Sequence, residues 1–119
     1  MLRIYVAGAY SADNVIDVLK NIGRGQDYAA KLFMLGHAPF CPWHDKEYVI
    51  QNWDKDFNVK MFYDYSMKWL EVSDVVFLVP GWENSKGTQK EIERAVELDI
   101  PVVKSIDELE KIERIVDGY

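Results

Sequence analysis

Residues 74–92 read DVVFLVPGWENSKGTQKEI, and this stretch decides the predicted fold. Its apolar run over residues 74–79 is typical of a parallel strand that is buried on both faces. Residues 80–88 are rich in glycine and polar side chains and predict a loop. A helix follows, and we expect its inward face to carry Ile92, Ala95 and Val96. A strand, a loop and a helix in this order form the repeating unit of a parallel α/β sheet.

The same unit recurs along the rest of the chain. Apolar runs predict further strands at residues 2–7, 38–41 and 100–103. A helix is expected after Asn14, a second before Ser73, and a third after a capping box that begins at Ser105. Residues 43–60 lack a clean period, so we expect an active-site loop with some helix.

Apolar residues at helical spacing predict the buried face of each helix. The first helix is expected to kink or break at Gly23 and Gly25, which weaken a helix, and to end at Gly36. The expected inward positions are Val15, Val18, Leu19, Ile22, Ala29, Leu32 and Phe33 in the first helix, Phe62, Tyr65, Trp69 and Leu70 in the second, and Ile106, Leu109, Ile112 and Val116 in the last.

Strands that alternate with helices predict one domain over residues 1–119. Right-handed βαβ units give a three-layer α/β sandwich with about four or five parallel strands, β1 central, in a flavodoxin-like or Rossmann-like layout. In such sheets a ligand binds at the carboxyl ends of the strands. We therefore expect the site in residues 8–11, 42–45 and 80–88.

Composition narrows the classes of function. The net charge is −6, which argues against binding of a nucleic acid polymer but allows one phosphate to be held by local donors. The sequence shows neither a signal peptide nor an apolar run of about 20 residues, so we expect no membrane association. A single cysteine, Cys41, suits a reducing cytoplasm.

Glu91 is the strongest candidate for chemistry in residues 80–91. Its carboxylate is expected in the first turn of a helix, where the helix dipole favours the ionised form. An ionised carboxylate beside a pocket can attack an anomeric carbon. A second interpretation stays open, because Thr88-Gln-Lys-Glu91 is also a capping box in which Glu91 only satisfies a backbone N–H.

Three segments carry a resemblance to a known family. They are IYVAGAYS at residues 4–11, WLEVSDVVFLVPGWENSKGTQKEIERA at 69–95 and the IPVV that follows. Together they resemble the nucleoside 2-deoxyribosyltransferase superfamily, nearest to its small bacterial and phage proteins with YxAGPYS and LPGWxxSxGxxxE motifs. The 2′-deoxynucleoside 5′-monophosphate N-glycosidases are similar at a greater distance.

The resemblance implies roles for individual residues. Glu91 corresponds to the nucleophilic glutamate, and Tyr5 to the tyrosine whose hydroxyl orients it. Ser85 corresponds to a serine that contacts phosphate in the monophosphate glycosidases. Substrate contacts are expected in the three strand-end segments, from Gly8, Tyr10, Trp43, His44, Asn84, Ser85, Gly87 and Thr88.

One departure from the family concerns the acid that protonates the leaving base. The family has an aspartate eight residues before the position of Asp74, and that residue is Ser66 here. We rank Asp64 narrowly ahead of His44 and Asp45 as a substitute. Asp74 itself is expected to be structural, bonding backbone N–H groups.

The expected reaction is cleavage or transfer of an N-glycosidic bond in a nucleoside or nucleoside 5′-monophosphate. The resemblance implies a covalent glycosyl intermediate on Glu91, no cofactor or metal, and a homo-oligomer. Ser66 motivates a different hypothesis, a nucleotide- or nucleoside-binding protein without turnover. A third hypothesis is a purely structural partner protein. One of the aromatic side chains of Trp43, Tyr48, Trp53, Phe57 and Trp82, expected around the pocket, can stack on a nucleobase; the alternative, favoured for each one singly, is that it covers the small sheet.

Overall fold

The computed structural model describes the backbone of residues 1–117 and the side chains of residues 1–115. Strands and helices alternate along it. The elements are β1 Arg3–Ala7, α1 Val15–Met34, β2 Ala38–Phe40, α2 Lys46–Gln51, α3 Val59–Leu70, β3 Val75–Leu78, α4 Lys86–Glu97, β4 Val102–Val103 and α5 Ile106–Asp117. Short 3₁₀ turns lie at Pro42–Asp45 and Trp82–Asn84.

The described strands form one sheet in which all neighbours are parallel. The order is β2-β1-β3-β4, and Tyr5 of β1 lies opposite Phe40 on one side and Val76 on the other. The predicted three-layer α/β sandwich of flavodoxin or Rossmann type is confirmed, with four strands. The strand order reverses between β1 and β3, so a crevice opens above their carboxyl ends.

Alternate residues of the central strands face two separate hydrophobic layers. Ile4 and Val6 pack in a layer that includes residues of α1 and α5, whereas Tyr5 and Ala7 pack in a layer that includes residues of α3 and α4. This alternation follows from the period of two in a strand. Because both faces are covered by helices, β1 is buried from Ile4 onward and β3 is apolar throughout.

The predicted break in α1 is wrong, because the helix runs without interruption from Val15 to Met34. The reason is a tertiary contact at Gly25. A Cβ atom at Gly25 would lie 2.4 Å from the ring of Trp43, whereas a Cβ at Gly23 would meet nothing within 4 Å. Gly25 therefore lets the Trp43 indole pack against the helix. The helix stays intact although a glycine in its interior lowers helix stability by about 1 kcal/mol.

Gly36 ends α1 as predicted, with a φ of 92°. The Gly36 N–H donates to Phe33 O and the His37 N–H donates to Leu32 O, which is the Schellman arrangement. The imidazole of His37 is buried. Its Nδ1 accepts the Leu2 N–H at 3.2 Å, and its Nε2 lies 3.3 Å from Glu113 of α5. His37 thus ties the start of β1 to the last helix.

Some expected core positions are on the surface. Val15, Leu19, Phe33, Tyr65, Trp69 and Val96 are all exposed, although the apolar spacing predicted them inside. The sheet has only a few strands, so each helix buries a narrower stripe than its apolar residues could cover. Leu109 is buried and Ile106 and Ile112 are partly buried, as predicted, and the side chain of Val116 lies outside the described residues.

Local hydrogen bonds close the ends of the elements. The Ser105 hydroxyl accepts the Glu108 N–H, so α5 begins at the predicted cap. The Asp74 carboxylate accepts the Arg3 N–H at 2.7 Å, which gives Asp74 a structural role that links β3 to β1.

The edge strands are short, with three residues in β2, including Pro39, and two in β4. No helix within residues 1–117 is long and apolar enough to cross a membrane.

Candidate functional site

A cavity of about 1110 Å³ opens above the carboxyl ends of β1 and β3. It lies where the strand order reverses, which is the usual ligand position in such sheets. All but two of the predicted site residues line it: Tyr5, Gly8, Tyr10, Trp43, Asn84, Ser85, Gly87, Thr88 and Glu91. The chain therefore brings together residues that are up to 86 positions apart.

Glu91 and Tyr5 form a hydrogen-bonded pair at this cavity. The Tyr5 hydroxyl donates to Oε2 of Glu91. Burial raises the pKa of Glu91 to about 7, and the hydrogen bond from Tyr5 opposes this effect. Burial also raises the pKa of Tyr5 well above its usual range, the charge of Glu91 raises it further, and hydrogen bonding by the buried Ser66 opposes both. Tyr5 therefore stays protonated and remains a donor to the carboxylate.

The start of α4 differs from both sequence interpretations. The N-cap is Ser85, whose hydroxyl accepts the Thr88 N–H at 3.2 Å and the Thr88 hydroxyl at 2.9 Å. The proposed capping box of Thr88 and Glu91 is therefore wrong. Glu91 is the sixth residue of α4, beyond the first turn, so the predicted help from the helix dipole is also wrong. Burial, and not the dipole, governs its protonation.

Two glycines shape this end of the cavity. Gly81, in the turn before α4, has a positive φ of 97°. Gly87 lies in the first turn of α4, where a Cβ atom would meet only the Ser85 hydroxyl, at 4.0 Å. Gly87 lines the cavity, so its missing side chain leaves room for a ligand beside the first turn of α4.

Four cationic side chains line the cavity; Lys46 pairs with Glu47, and the other three are Lys20, Arg24 and Lys86. Arg24 Nη1 lies 3.3 Å from the position that a Cβ atom of Gly81 would take, which puts the guanidinium over the turn before α4. None of the three forms an ion pair with a residue of the described chain. They make this rim a favourable place for an anion.

Sequence reasoning missed Lys20 and Arg24, although a signal was present. The two residues are spaced by four in a helix that follows the glycine at the end of β1, so they share a face that looks toward the strand ends. The expected break at Gly23 concealed this spacing. With an unbroken α1, the pattern indicates a basic helix face at the crevice.

Asp45 lies in the wall of the cavity near the end of β2. The Tyr10 hydroxyl donates to Asp45 Oδ1 at 3.1 Å. Burial raises the pKa of Asp45, while the hydrogen bond from Tyr10 and the charge of Lys46 lower it. The neighbouring α2 adds two apolar residues, Val49 and Ile50, to the same cavity. This region combines an apolar surface with one carboxyl group whose pKa is raised.

The structure does not bring Asp64 or His44 to this cavity. Asp64 is exposed on α3 and pairs with Lys60 one turn earlier, so its position does not support the predicted role as acid. His44 is exposed and lines a separate, smaller cavity of about 240 Å³ with Tyr48 and Tyr65. Of the three candidate acids, only Asp45 lines the same cavity as Glu91.

The aromatic residues are arranged differently from the prediction. Trp43 lines the cavity but is only 2 % exposed, and its indole N–H donates to Ala9 O at 3.1 Å. It packs against Gly8 as well as Gly25, so its main contact is with the protein. Tyr48, Trp53, Phe57 and Trp82 do not line the cavity, whereas Phe62 and Tyr63 of α3 do.

The fold and the site define a doubly wound α/β protein with a cavity, lined by both apolar and charged side chains, at the reversal of its strand order. The family model described as Domain of unknown function (DUF4406) matches residues 2–104, which is most of the chain. The chain belongs to this family. No curated protein matches it.

Proposed function

We propose that the protein cleaves or transfers the N-glycosidic bond of a deoxynucleoside 5′-monophosphate, with Glu91 as the nucleophile. One observation carries the proposal: a partly buried carboxyl group, hydrogen-bonded by Tyr5, lines an open cavity whose rim holds cationic side chains. The resemblance to the nucleoside 2-deoxyribosyltransferase superfamily assigns the same roles to Glu91 and Tyr5. The cavity that Glu91 lines favours a reactive over a structural carboxyl group.

Burial of Glu91 favours the reaction that we propose for it. A carboxylate in a poorly solvated site is destabilised by its charge, so a neutral ester at the same oxygen is favoured. In the first step a carboxylate oxygen of Glu91 bonds to C1′ as the C1′–N bond breaks. Tyr5 holds the other oxygen and fixes the direction of attack. Water or a second base then displaces Glu91 from C1′.

The cationic rim supports a phosphorylated substrate. Lys20, Arg24 and Lys86 line the same cavity as Ser85 and Gly87 at the N-terminus of α4, and Arg24 lies against the turn before that helix. The Ser85 oxygen accepts two hydrogen bonds from Thr88, so its own proton is free to be donated to a phosphate oxygen. A 5′-phosphate bound here would lie at the start of the helix that carries Glu91.

The first test is release of free base. Purified protein is incubated with each deoxynucleoside 5′-monophosphate, and the products are separated by chromatography. We expect base and 2-deoxyribose 5-phosphate, or exchange products when a second base is present. Glu91→Gln should lower the rate by at least about a thousandfold, because it removes the nucleophile. The matched control is Glu93→Gln, an exposed carboxyl of the same helix, which should leave the rate unchanged.

The same assay tests the phosphate contact. Arg24→Ala should raise KM for the monophosphate by about tenfold to a hundredfold, because loss of a hydrogen bond to a charged group usually weakens binding by that factor. It should not change KM for the nucleoside. Lys31→Ala is the control on the same helix, since Lys31 pairs with Asp27 and does not line the cavity.

Three results would contradict the proposal. Binding of nucleotides in a thermal-shift assay without release of base would replace it with a binding protein, the hypothesis that Ser66 motivates. Absence of any shift would favour a structural partner protein. Retention of activity in Glu91→Gln would remove Glu91 from the chemistry while leaving the substrate class open.

A further inference from the structure

The cavity contains three carboxyl groups besides its cations, those of Asp17, Asp45 and Glu91. Asp17 is exposed at the start of α1, where its side chain and backbone are both bonded to Asn14. Glu91 is paired with Tyr5. Asp45 is the remaining one, and it enters from the end of β2, on the opposite side of β1 from the element that carries Glu91. The two carboxyl groups therefore approach the cavity from different strands.

Asp45 has the surroundings of a proton donor. It is half-buried, and burial raises its pKa, which favours the protonated form. The Tyr10 hydroxyl, 3.1 Å away, donates to Oδ1. When Asp45 gives up its proton, the hydrogen bond from Tyr10 becomes charge-assisted and stronger. Tyr10 thus stabilises Asp45 most after proton transfer, which is the direction that general acid catalysis requires.

The apolar wall beside Asp45 suits a nucleobase. Val49 and Ile50 belong to α2, which begins directly after Asp45, and both line the cavity. Phe62 of α3 lines it as well. A planar base resting on these side chains would lie next to the Asp45 carboxyl group, while the sugar phosphate extends toward Glu91 and the cationic rim.

We propose that Asp45 is the general acid that protonates the departing base, with Tyr10 as its positioning residue; the inference rests on the proposed function. As the C1′–N bond breaks, its electron pair goes to the base nitrogen, and the base takes the Asp45 proton. In the second half Asp45, now a carboxylate, accepts a proton from water as the water oxygen bonds to C1′. Glu91 leaves as a carboxylate, and the net reaction consumes one water per bond cleaved.

Leaving groups that need no protonation provide the test. Each pair of substrates contains an ordinary nucleotide and an activated one: dGMP with its N7-methylated form, and dUMP with 5-fluoro-dUMP. The variants are assayed on the pair that the wild-type protein cleaves. Asp45→Asn should slow the ordinary nucleotide by about a hundredfold or more, which is typical of a lost general acid, and the activated nucleotide by less than about tenfold. Glu91→Gln should slow both members of a pair alike.

Two variants complete the design. Tyr10→Phe should reproduce the preference for the activated nucleotide more weakly, and it reports on Asp45 even if Asp45→Asn does not fold. Asp54→Asn, an exposed carboxyl in the loop after α2, is the matched control and should leave both rates unchanged. Equal slowing of both substrates by Asp45→Asn, or no slowing, would overturn the role of Asp45. Failure of the wild-type protein to cleave any of the four would overturn the proposed function as well.

Discussion

The pKa of Glu91 links the candidate site to the stability of the folded chain. Its pKa of about 7 in the folded chain lies above its ordinary value of 4.5, because burial penalises the charge. The folded chain therefore holds a proton that the unfolded chain releases between these two values. It follows that stability falls as pH rises from about 4.5 to about 7, and that this loss persists at higher pH.

A measurable stability difference follows for Glu91→Gln, which has no proton to lose. Between pH 5 and pH 8 the free energy of unfolding of the wild-type protein should drop by about 2–3 kcal/mol relative to this variant. Urea titrations at the two pH values measure the difference. Glu93→Gln, which alters an exposed carboxyl on the same helix, should track the wild-type protein. Parallel pH curves for wild type and Glu91→Gln would show that Glu91 is well solvated.

Only some features of the candidate site could be predicted from the sequence. The location at the strand ends follows from the apolar runs of β1 and β3, since parallel strands place their carboxyl ends together. The pairing of Tyr5 with Glu91 came from the resemblance, because spacing along the chain carries no information about a contact across 86 residues. The choice of Asp45 over Asp64 needed coordinates, since both lie in polar, helical segments.

Helix α1 shows how an element can contradict local propensity. Two glycines within three residues predict a break, yet one of them faces solvent and the other faces Trp43. A contact between a helix and a residue 18 positions later has no signature in the local sequence. The strands were easier to predict, because burial on both faces imposes an unbroken apolar run.

Opposite effects are expected for the same substitution at these two glycines. Gly23→Ala should stabilise the protein by about 0.5–1 kcal/mol, because alanine favours the helix and Gly23 has open space around it. Gly25→Ala should destabilise it by about 1–3 kcal/mol, because the new methyl group overlaps the Trp43 ring. Thermal or urea unfolding of the two variants measures this contrast. Equal stabilisation by both would mean that Trp43 moves aside at little cost.

At the scale of the whole molecule, aromatic side chains remain on the surface beside β2. Tyr48, Tyr65 and Trp69 are 49 %, 37 % and 48 % exposed. Tyr48 contacts Tyr65, and both Tyr65 and Trp69 pack on Phe40 of β2, so the group is continuous. An apolar surface of this kind is typical of contacts between protein chains.

We expect the homo-oligomer that the resemblance implies to use this aromatic surface. Tyr48→Lys should weaken self-association at least about tenfold, because a charge would be desolvated in the contact. Sedimentation equilibrium measures the change, and circular dichroism checks that the variant is folded. Phe33→Lys, an exposed apolar residue on α1, serves as the control. A monomeric wild-type protein, or equal effects of the two variants, would contradict the prediction.

The short outer strands constrain how copies of the chain can meet. The N–H of Ala38 donates to Leu2 O beside β1, so the residue of β2 whose backbone points outward is Pro39, which has no N–H. The strand at the opposite edge, β4, spans only two residues. A second chain finds no row of amide groups with which to continue the sheet. Any association between copies would therefore rest on contacts between side chains and not on a continued sheet, and the same short edges work against cross-β aggregation.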